Sequence, residues 1–346
     1  MAPPSRKSRR KRGSGAAGIL LIAFFLLLGL AAGVGWLAMT PFGPSTETFV
    51  DVAPGTGGVR IGRMLESAGI VRSRYAFDLV RSWKRGTLRA GEYRFDHPLT
   101  AIEVYSQIER GDVYTKTLSV PEGSSMFDVA ARVEQAGFGT QQAFLAAARQ
   151  RTALVADLDP AAKSLEGYLF PDTYHFPRTA TPEQIATAMV RRFRQAAAQV
   201  GLTGNVHKVV TVASLVERET AVDAERPMVA SVFENRLAKN MPLMTDPSVI
   251  YGLELQRQWR GSIYASDLKR DTPYNTYVHT GLPPGPVANP GIPSLRAAMD
   301  PAQTNYLYFV AAGENPQGKS MFAATLEEHN RNVDGYRHAL KKAGGR

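Results

Sequence analysis

The segment VVTVASLVERET, residues 209–220, is the most informative part of this 346-residue sequence. Four of its apolar residues recur at the spacing of one helix face: Val209, Val212, Ala213 and Val216. This spacing predicts a helix that buries one side and directs Arg218 towards solvent. The helical pattern continues beyond the segment, so the sequence predicts a long helix over residues 208–239.

Two carboxylates lie near the end of the quoted segment. Glu219 lies one turn beyond Leu215 and Val216, so it projects from apolar neighbours, whereas Glu217 has smaller and more polar ones. A carboxyl group among apolar side chains has a raised pKa, which suits a general acid near neutral pH. The pattern makes Glu219 a candidate acid, although ordinary helix-surface carboxylates would show the same spacing.

The surrounding sequence alternates helical and irregular segments. Residues 182–200 have helical apolar spacing, whereas residues 165–177 are rich in aromatic residues and broken by prolines, which predicts a structured loop. Residues 245–252 and 271–291 also have the composition of loops. The stretch at residues 306–313 predicts a strand, with a further helix near the end of the chain.

A pattern of strand, tight turn and helix occurs twice in the first half of the chain. Its copies end at Gly69 and Gly137, where a left-handed residue would terminate each helix. Between them lie an alternating strand at residues 89–95 and a helix at residues 100–110. Residues 48–116 are therefore predicted to form a small α+β module. No strand–helix–strand repeats of a parallel sheet are visible, so the whole chain is predicted to be α+β.

An apolar segment without charged residues occupies residues 16–38. Such a segment is long enough to cross about 30 Å of hydrocarbon, and Trp36 near its end suits the membrane interface. The charges before it are all positive, so residues 1–15 are predicted to be a basic cytoplasmic tail, with everything after the span outside. A cleaved signal peptide is the alternative, but its apolar core normally has about 7–15 residues. Residues 39–47 are predicted to be a linker.

The positive charge is concentrated in the tail. The sequence has 41 Lys and Arg against 31 Asp and Glu, and without the six cations of the tail the balance is 35 against 31. A basic groove for nucleic acid is therefore not predicted. The chain has no cysteine, which excludes disulfides, thiolate metal sites and a cysteine nucleophile.

Two further motifs resemble a nucleotide-binding site and a metal site, but we interpret neither of them in that way. Residues 313–320 match the phosphate-loop pattern, but only 26 residues follow them, too few for a nucleotide hydrolase, so we interpret the segment as a hairpin turn. The six histidines form no metal-binding pair, and the Glu327-Glu328-His329 sequence is not a metal motif. No metal or cofactor is predicted.

Longer motifs give a more specific indication. They occupy, in order, residues 91–95, 120–123, 166–174, 213–237, 241–252, 272–291, 306–311 and 327–330. Together with the single N-terminal anchor, they strongly resemble the YceG-like family, the endolytic murein transglycosylases. The resemblance covers residues 48–338.

The resemblance implies an architecture and a catalytic residue. Residues 48–116 resemble a LysM-like module, and residues 117–346 a YceG-like catalytic domain. The family's catalytic glutamate is the second Glu of an E-K-E-T motif, which corresponds to Glu219 here, with Arg218 in place of Lys. Relatives often have His before the Phe that corresponds to Phe322, whereas this chain has Met321 there.

The resemblance also implies a reaction, a substrate and a place in the cell. The substrate is the peptidoglycan glycan strand, cut between N-acetylmuramic acid and N-acetylglucosamine with a 1,6-anhydro end. The enzyme would be anchored in the inner membrane beside penicillin-binding proteins of the glycan-synthesis machinery.

Residue types around the glutamate suggest substrate contacts. The candidates are side chains that donate hydrogen bonds or stack on sugars, predicted to lie on loops: Asp246, Tyr251, Asn275, Thr276, Tyr277 and Phe322. Loop scaffolding is the alternative role for each of them. Glu166 and Asp172 are weaker candidates for the same cleft.

Three other functions remain open at this point. A true hydrolase would use Asp246 or Glu217 as a second carboxylate. A non-catalytic wall-binding protein would use its LysM-like module alone. A membrane-tethered nucleic-acid binder is disfavoured by the charge distribution.

Overall fold

The computed structural model describes residues 14–312 and 319–344. The chain is a mixed α+β protein with two compact units, and the boundary between them falls after Thr115. In the first unit, which we call the N-terminal unit, the elements in chain order are α1 (Ser14–Met39), β1 (Thr48–Val52), α2 (Gly58–Ser67), α3 (Arg74–Lys84), β2 (Gly91–Phe95) and α4 (Ala101–Arg110).

The N-terminal unit is built around one antiparallel strand pair. β1 and β2 align with Val50 opposite Tyr93, and alternate residues of both strands are buried. Helices α2, α3 and α4 contribute most of the other core residues. Thr100 and Glu103 form a capping box at the start of α4, which satisfies backbone N–H groups that the first turn leaves free.

Helix α1 is long and apolar, and its end belongs to this core. Its segment Gly18–Met39 is long enough to span a membrane. Ala38 is only 4 % exposed, and Val34 and Leu37 pack against the same cluster. The following segment is not loose, because the backbone groups of Phe42 and Leu99 exchange two hydrogen bonds.

The second unit, which we call the C-terminal unit, is mainly helical. Its first elements are β3 (Lys116–Ser119), α5 (Met126–Gln135), α6 (Gln141–Gln150), β4 (Thr173–Phe176) and α7 (Pro182–Val200). Then follow α8 (Val206–Glu219), α9 (Arg226–Ala238), α10 (Asp246–Leu255), α11 (Ile292–Met299), β5 (Tyr308–Ala311), β6 (Ser320–Ala323) and α12 (Leu326–Gly344). Strand β3 pairs with β4 and β5 with β6, both antiparallel.

The repeated strand–turn–helix pattern is confirmed. Its two copies are β1 with α2 and β3 with α5, each beginning and ending within a few residues of the prediction. Gly69 and Gly137 both have left-handed backbones, with φ of 70° and 72°. A residue with a Cβ would be strained in this conformation, so glycine terminates both helices.

Three predictions of local structure were wrong. The predicted helix over residues 208–239 is two helices, because Thr220 is extended with φ −141° and ψ 135°. Residues 245–252 belong mainly to α10, since Thr245 caps that helix and a proline stands in its first turn. The aromatic loop at 165–177 ends in strand β4. Most of the hairpin turn predicted at 313–320 lies outside the described residues, although β5 and β6 pair on its two sides.

Candidate active site

The end of α8 determines where the candidate acid lies. The helix buries Val210, Val212 and Val216 in the core of the C-terminal unit. It stops at Glu219 because Thr220 leaves the helical conformation. Glu219 therefore occupies the last helical position, where the partial negative charge of the free carbonyl groups disfavours an ionised carboxylate.

Glu219 faces a cleft of about 420 Å³ in the C-terminal unit. The lining comes from α8, α9, α10, strand β5, helix α12 and two intervening loops. Its residues are Glu219, Phe233, Arg236, Leu243, Met244, Asp246, Tyr277, Tyr308, Phe309, Leu326 and His329. Aromatic and aliphatic side chains form most of the wall, and a few polar groups converge on the space between them.

Burial raises the pKa of Glu219 to about 7. The nearby Asp246 carboxylate raises the pKa further by like-charge repulsion, whereas Arg236 and Arg218 lower it. The sequence-based expectation of an apolar setting for this carboxyl thus agrees with its burial. Near neutral pH a substantial fraction of the molecules carries a transferable proton here.

A second carboxyl group lies in the same cleft. Asp246 is the first residue of α10, and its Oδ1 accepts a 2.7 Å hydrogen bond from the Tyr277 hydroxyl. Burial and the Asp246 charge both raise the pKa of Tyr277, so the phenol stays protonated and keeps donating. Asp246 therefore has a fixed orientation towards the cleft.

Arg236 joins three segments of the cleft wall. Its Nε donates to the carbonyl of Leu307 at 2.7 Å and its Nη1 to that of Leu243 at 2.8 Å. The guanidinium also lies 5.2 Å from the centre of the Tyr308 ring. This side chain therefore ties α9 to both flanking segments and places a positive charge near Glu219.

His329 completes the wall opposite these charges. Its ring stacks on Tyr308, with centroids 5.1 Å apart and planes inclined by 22°. Burial and the charge of Arg236 lower its pKa, so the imidazole is neutral at pH 7. Within the part of the chain that the structure describes, its buried Nδ1 has no hydrogen-bond partner.

Among the polar residues of this wall, three were not predicted from sequence: Arg236, Tyr308 and His329. Arg236 follows Glu219 on another helix without any periodic relation to it. His329 lies in the noticed motif at 327–330, but it was considered there only as a metal ligand. The one available signal was that all three residues lie in the motifs that carry the family resemblance.

Three predicted substrate contacts lie in the interior instead. Tyr251 is buried and packs against Phe127 and Tyr274. The amide of Asn275 donates to the carbonyl of Arg270 at 2.7 Å, and Thr276 accepts from the backbone of Thr245. These side chains stabilise the loop and helix that carry Tyr277 and Asp246. They correspond to the scaffolding alternative.

Phe322 lies beside the cleft rather than in its lining. It is on strand β6, and its ring packs 6.0 Å from Phe309, which does line the cleft. Asp246 and Tyr251 belong to helix α10 and Phe322 lies on a strand, so the predicted placement of these three residues on loops was wrong. The segments around Asp246 and Phe322 both have turn-forming residues next to a helix or strand. Composition alone does not show where the turn ends and the regular structure begins.

Glu217 meets surroundings that the sequence did not indicate. Its side chain is 5 % exposed and forms an ion pair of 2.9 Å with Arg226, which is equally buried. Its other oxygen accepts from the backbone N–H of Gly291. The expectation of weaker desolvation for Glu217 was therefore wrong, because α9 and the start of α11 cover this side of α8.

The two weaker acidic candidates lie away from the cleft. Glu166 is buried, accepts hydrogen bonds from the backbone of Met126 and the amide of Asn289, and has its pKa raised to about 8 by burial. Asp172 pairs with Arg192 at 2.7 Å. The described residues contain no group of three or more His, Asp or Glu side chains arranged to hold a metal ion.

Comparison with known proteins identifies the relatives of this chain. The sequence profile of the YceG-like family matches residues 50–335. The endolytic murein transglycosylase of Bacillus subtilis is 32 % identical over 313 residues, covering 84 % of this chain and 85 % of that protein. The protein of the same name from Streptococcus pneumoniae D39 is 29 % identical, covering 90 % of this chain but 64 % of its own length.

A crystal structure extends the comparison to the fold. A yceG-like protein of Listeria monocytogenes superposes with a TM-score of 0.54 at 31 % identity. The match covers 83 % of this chain and 99 % of the crystallised one. The similarity therefore includes both the sequence and the arrangement of its elements.

Proposed function

The chain belongs to the YceG-like family, and we propose that it is an endolytic murein transglycosylase with Glu219 as its acid and base. The observation that carries the proposal is a half-buried carboxyl group whose pKa is raised to about 7, facing a cleft with aromatic walls. Such a group is a proton donor and a proton acceptor at the same pH.

In the first step Glu219 donates its proton to the glycosidic oxygen between N-acetylmuramic acid and N-acetylglucosamine. The C1–O bond breaks, the N-acetylglucosamine end leaves as an alcohol, and positive charge develops on the muramoyl ring. Asp246, oriented by Tyr277, is the negative group of the cleft suited to stabilise that charge.

In the second step the ionised Glu219 removes the proton from the muramoyl 6-hydroxyl. The freed oxygen bonds to C1 of the same sugar, which forms the 1,6-anhydro end and returns Glu219 to its protonated state. No water is consumed. The nucleophile belongs to the substrate, so a protein nucleophile is not required.

The polar residues of the wall are the proposed glycan contacts. Asp246 and Tyr277 keep the role predicted for them, and Arg236, Tyr308 and His329 join them. The imidazole of His329 and the aromatic side chains of the lining suit a sugar, which offers hydroxyl groups and apolar ring faces.

A hydrolase is the second candidate, because one observation favours it. Asp246 lies in the same cleft as Glu219. Glycosidases that use water as a substrate typically have a catalytic pair of carboxyl groups. Glu217 does not support this alternative, since it is committed to the buried Arg226.

Product analysis separates the two functions. The full-length protein would be incubated with purified peptidoglycan in ¹⁸O-labelled water, and the new ends analysed by mass spectrometry. We expect anhydro ends without label, and none with Glu219→Gln. Labelled reducing ends would show a hydrolase, and glycan binding without any cleavage would indicate a wall-binding protein.

The proposal includes a location and an organisation. Residues 1–15 are the cytoplasmic tail, residues 16–38 an uncleaved span of the cytoplasmic membrane, and residues 39–47 the connection to the external part. Residues 48–116 form the LysM-like module and residues 117–346 the catalytic domain. The apolar helix and the six preceding cations support this topology.

The external location also suggests partners. Nascent glycan strands are made at the outer face of the membrane, so we propose that the protein acts there beside penicillin-binding proteins. Nucleic acid has no part in the proposal.

A further inference from the structure

Helix α3 of the N-terminal unit exposes an apolar stripe. Tyr75, Leu79 and Trp83 follow at intervals of four residues, and they are 61 %, 47 % and 72 % exposed. Another face of the helix packs against the core of the unit, where Phe77 and Val80 are buried. Two large aromatic residues and a leucine in a row on the surface are typical of an interaction site.

The stripe begins beside the apolar N-terminal helix. α1 packs against α3 within the N-terminal unit. The guanidinium of Arg72, just before α3, lies 6.0 Å from the ring of Trp36 on α1 and 5.0 Å from that of Phe42. The last turns of α1 are part of the core of the N-terminal unit. The end of the span and helix α3 therefore belong to one packed structure.

The segment that carries the stripe is predominantly positive, and one acid of α2, Glu66, contacts its start by accepting a hydrogen bond from the backbone N–H of Arg74. From residue 72 to residue 89 the chain has six cations and one acid, Asp78. Asp78 pairs with Arg81. The remaining cations are Arg72, Arg74, Lys84, Arg85 and Arg89. Apolar and aromatic side chains beside a cationic face are the pattern of a helix that lies in the interface of an anionic membrane.

We propose that Tyr75, Leu79 and Trp83 insert into the headgroup region of the bilayer that α1 spans. Helix α3 is then a second membrane contact, which holds the N-terminal unit against the lipid surface. The partner is the anionic bilayer rather than glycan or a second copy, because the stripe is continuous with the end of the span and its border is cationic. The inference rests on α1 being retained as an anchor, as in the proposed function.

Tryptophan fluorescence tests the proposal on the full-length chain. The sequence has three tryptophans: Trp36, Trp83 and Trp259. A variant with Trp36→Phe and Trp259→Phe retains Trp83 as its single reporter in vesicles that contain phosphatidylglycerol. We expect strong quenching of Trp83 by a lipid with a shallow nitroxide label. Quenching by aqueous iodide should be several-fold weaker than that of a water-exposed tryptophan.

The matched control moves the reporter by one residue. In the same background, Lys84→Trp with Trp83→Phe places the ring at least 100° around the helix from all three stripe residues, at a position that is also exposed. This reporter should be quenched by iodide and only weakly by the labelled lipid. Equal responses at positions 84 and 83 would overturn the proposal.

A third variant separates failure of the inference from failure of the anchor. With Trp36 as the single tryptophan, lipid quenching reports whether α1 is inserted. Quenching of Trp36 by lipid, with Trp83 open to iodide, would overturn the interfacial contact alone. A Trp36 that lipid does not quench would overturn the anchor and the contact together. Protection of Trp83 only after glycan fragments are added would overturn the lipid contact in favour of glycan binding.

Discussion

Glu217 and Glu219 lie two residues apart on α8 but have different chemical roles. The Glu217 carboxylate is matched by a buried arginine, whereas Glu219 has desolvation without a comparable partner. An ion pair keeps a buried carboxylate ionised, and burial without one favours its protonated form. The difference supports the proposal that Glu217 has a structural role and Glu219 transfers protons.

Glu219→Gln should abolish cleavage while the protein stays folded. Glutamine has the same size but no transferable proton, and general acid–base catalysis typically contributes about 10²–10⁴-fold. One residue performs both transfers here, so we expect a loss at or above the upper end. Muropeptide release from peptidoglycan measures the rate, and circular dichroism checks the fold. A folded variant with activity near that of the wild type would contradict the assignment.

Glu217→Gln is the matched control, and it should act on stability. Removing one member of a buried ion pair leaves Arg226 without its buried partner, which costs about 3 kcal/mol. Urea unfolding should show the loss, while molecules that remain folded should still cleave with an unchanged pH profile. An inactive but fully stable Glu217→Gln variant would exchange the roles of the two residues.

Asp246→Asn should shift the pH dependence of cleavage. Because the acid must be protonated, kcat/KM of the wild type should fall as the pH rises through about 7. The Asp246 charge raises the pKa of Glu219, so its removal should lower that pKa and move the alkaline limb to lower pH. A pH–rate profile of both proteins measures the shift. A limb that stays in place, or moves to higher pH, would show that Asp246 does not act on Glu219.

At the scale of elements, the sequence predicted the helix ends that are set by capping residues next to them. Helix α7 has the predicted bounds, since a threonine caps it, a proline starts it and Gly201 ends it. The break after α8 was missed because residues 208–239 have helical spacing on both sides of Thr220. The start of α10 was mistaken for a turn because Thr, Asp and Pro serve both purposes.

The candidate site was predictable only in part for the same reason. Glu219 could be selected because residues 217–220 resemble the family's catalytic motif, while the apolar neighbours on its own helix gave a weaker indication. Tyr251, Asn275 and Thr276 have the same residue types as true cleft residues, and only the fold shows that they face inwards. Arg236 and His329 reach the cleft from α9 and α12. Such tertiary contacts between distant segments produce no local sequence pattern.

Glu225→Ala should loosen the β5–β6 pair. The buried Glu225, in the turn between α8 and α9, accepts a 2.8 Å hydrogen bond from the backbone N–H of Ser320 at the start of β6. Without it we expect faster hydrogen exchange at the amides of β6 and a KM raised several-fold, because Tyr308 and Phe309 on the paired strand line the cleft. The pH limb of kcat/KM should stay in place. Unchanged exchange in β6 would contradict this link.

At the scale of the whole molecule, buried acids make stability depend on pH. Burial raises the pKa of Glu166 to about 8 and those of Glu219 and Glu254 to about 7. The folded protein therefore binds protons that the unfolded chain has released above about pH 4.5. Their contribution to stability is complete below that pH and is lost as the pH rises towards 8.

The free energy of unfolding should accordingly fall between about pH 5 and pH 8. Urea unfolding of the wild type at several pH values measures the slope, and Glu219→Gln should make it shallower, since one of the protons is no longer taken up. Glu327→Gln, at an exposed position, should leave the slope unchanged. A stability that rises over this interval would show that the three carboxyl groups are ionised in the folded protein.

The retention of α1 is a prediction about the entire chain. Cleavage of a signal peptide near Ala38 would remove side chains that the N-terminal unit uses in its core, because Val34 and Leu37 pack on the same cluster as Ala38, which is 4 % exposed. The packing of α1 therefore favours a chain that keeps the span. We expect intact-mass analysis of the membrane-extracted protein to show a chain that still contains the span, and a reporter fused after Arg346 to be active only outside the cytoplasm. A soluble form that begins near Met39 would show that α1 is a signal sequence, and the interfacial role of α3 would then be lost with it.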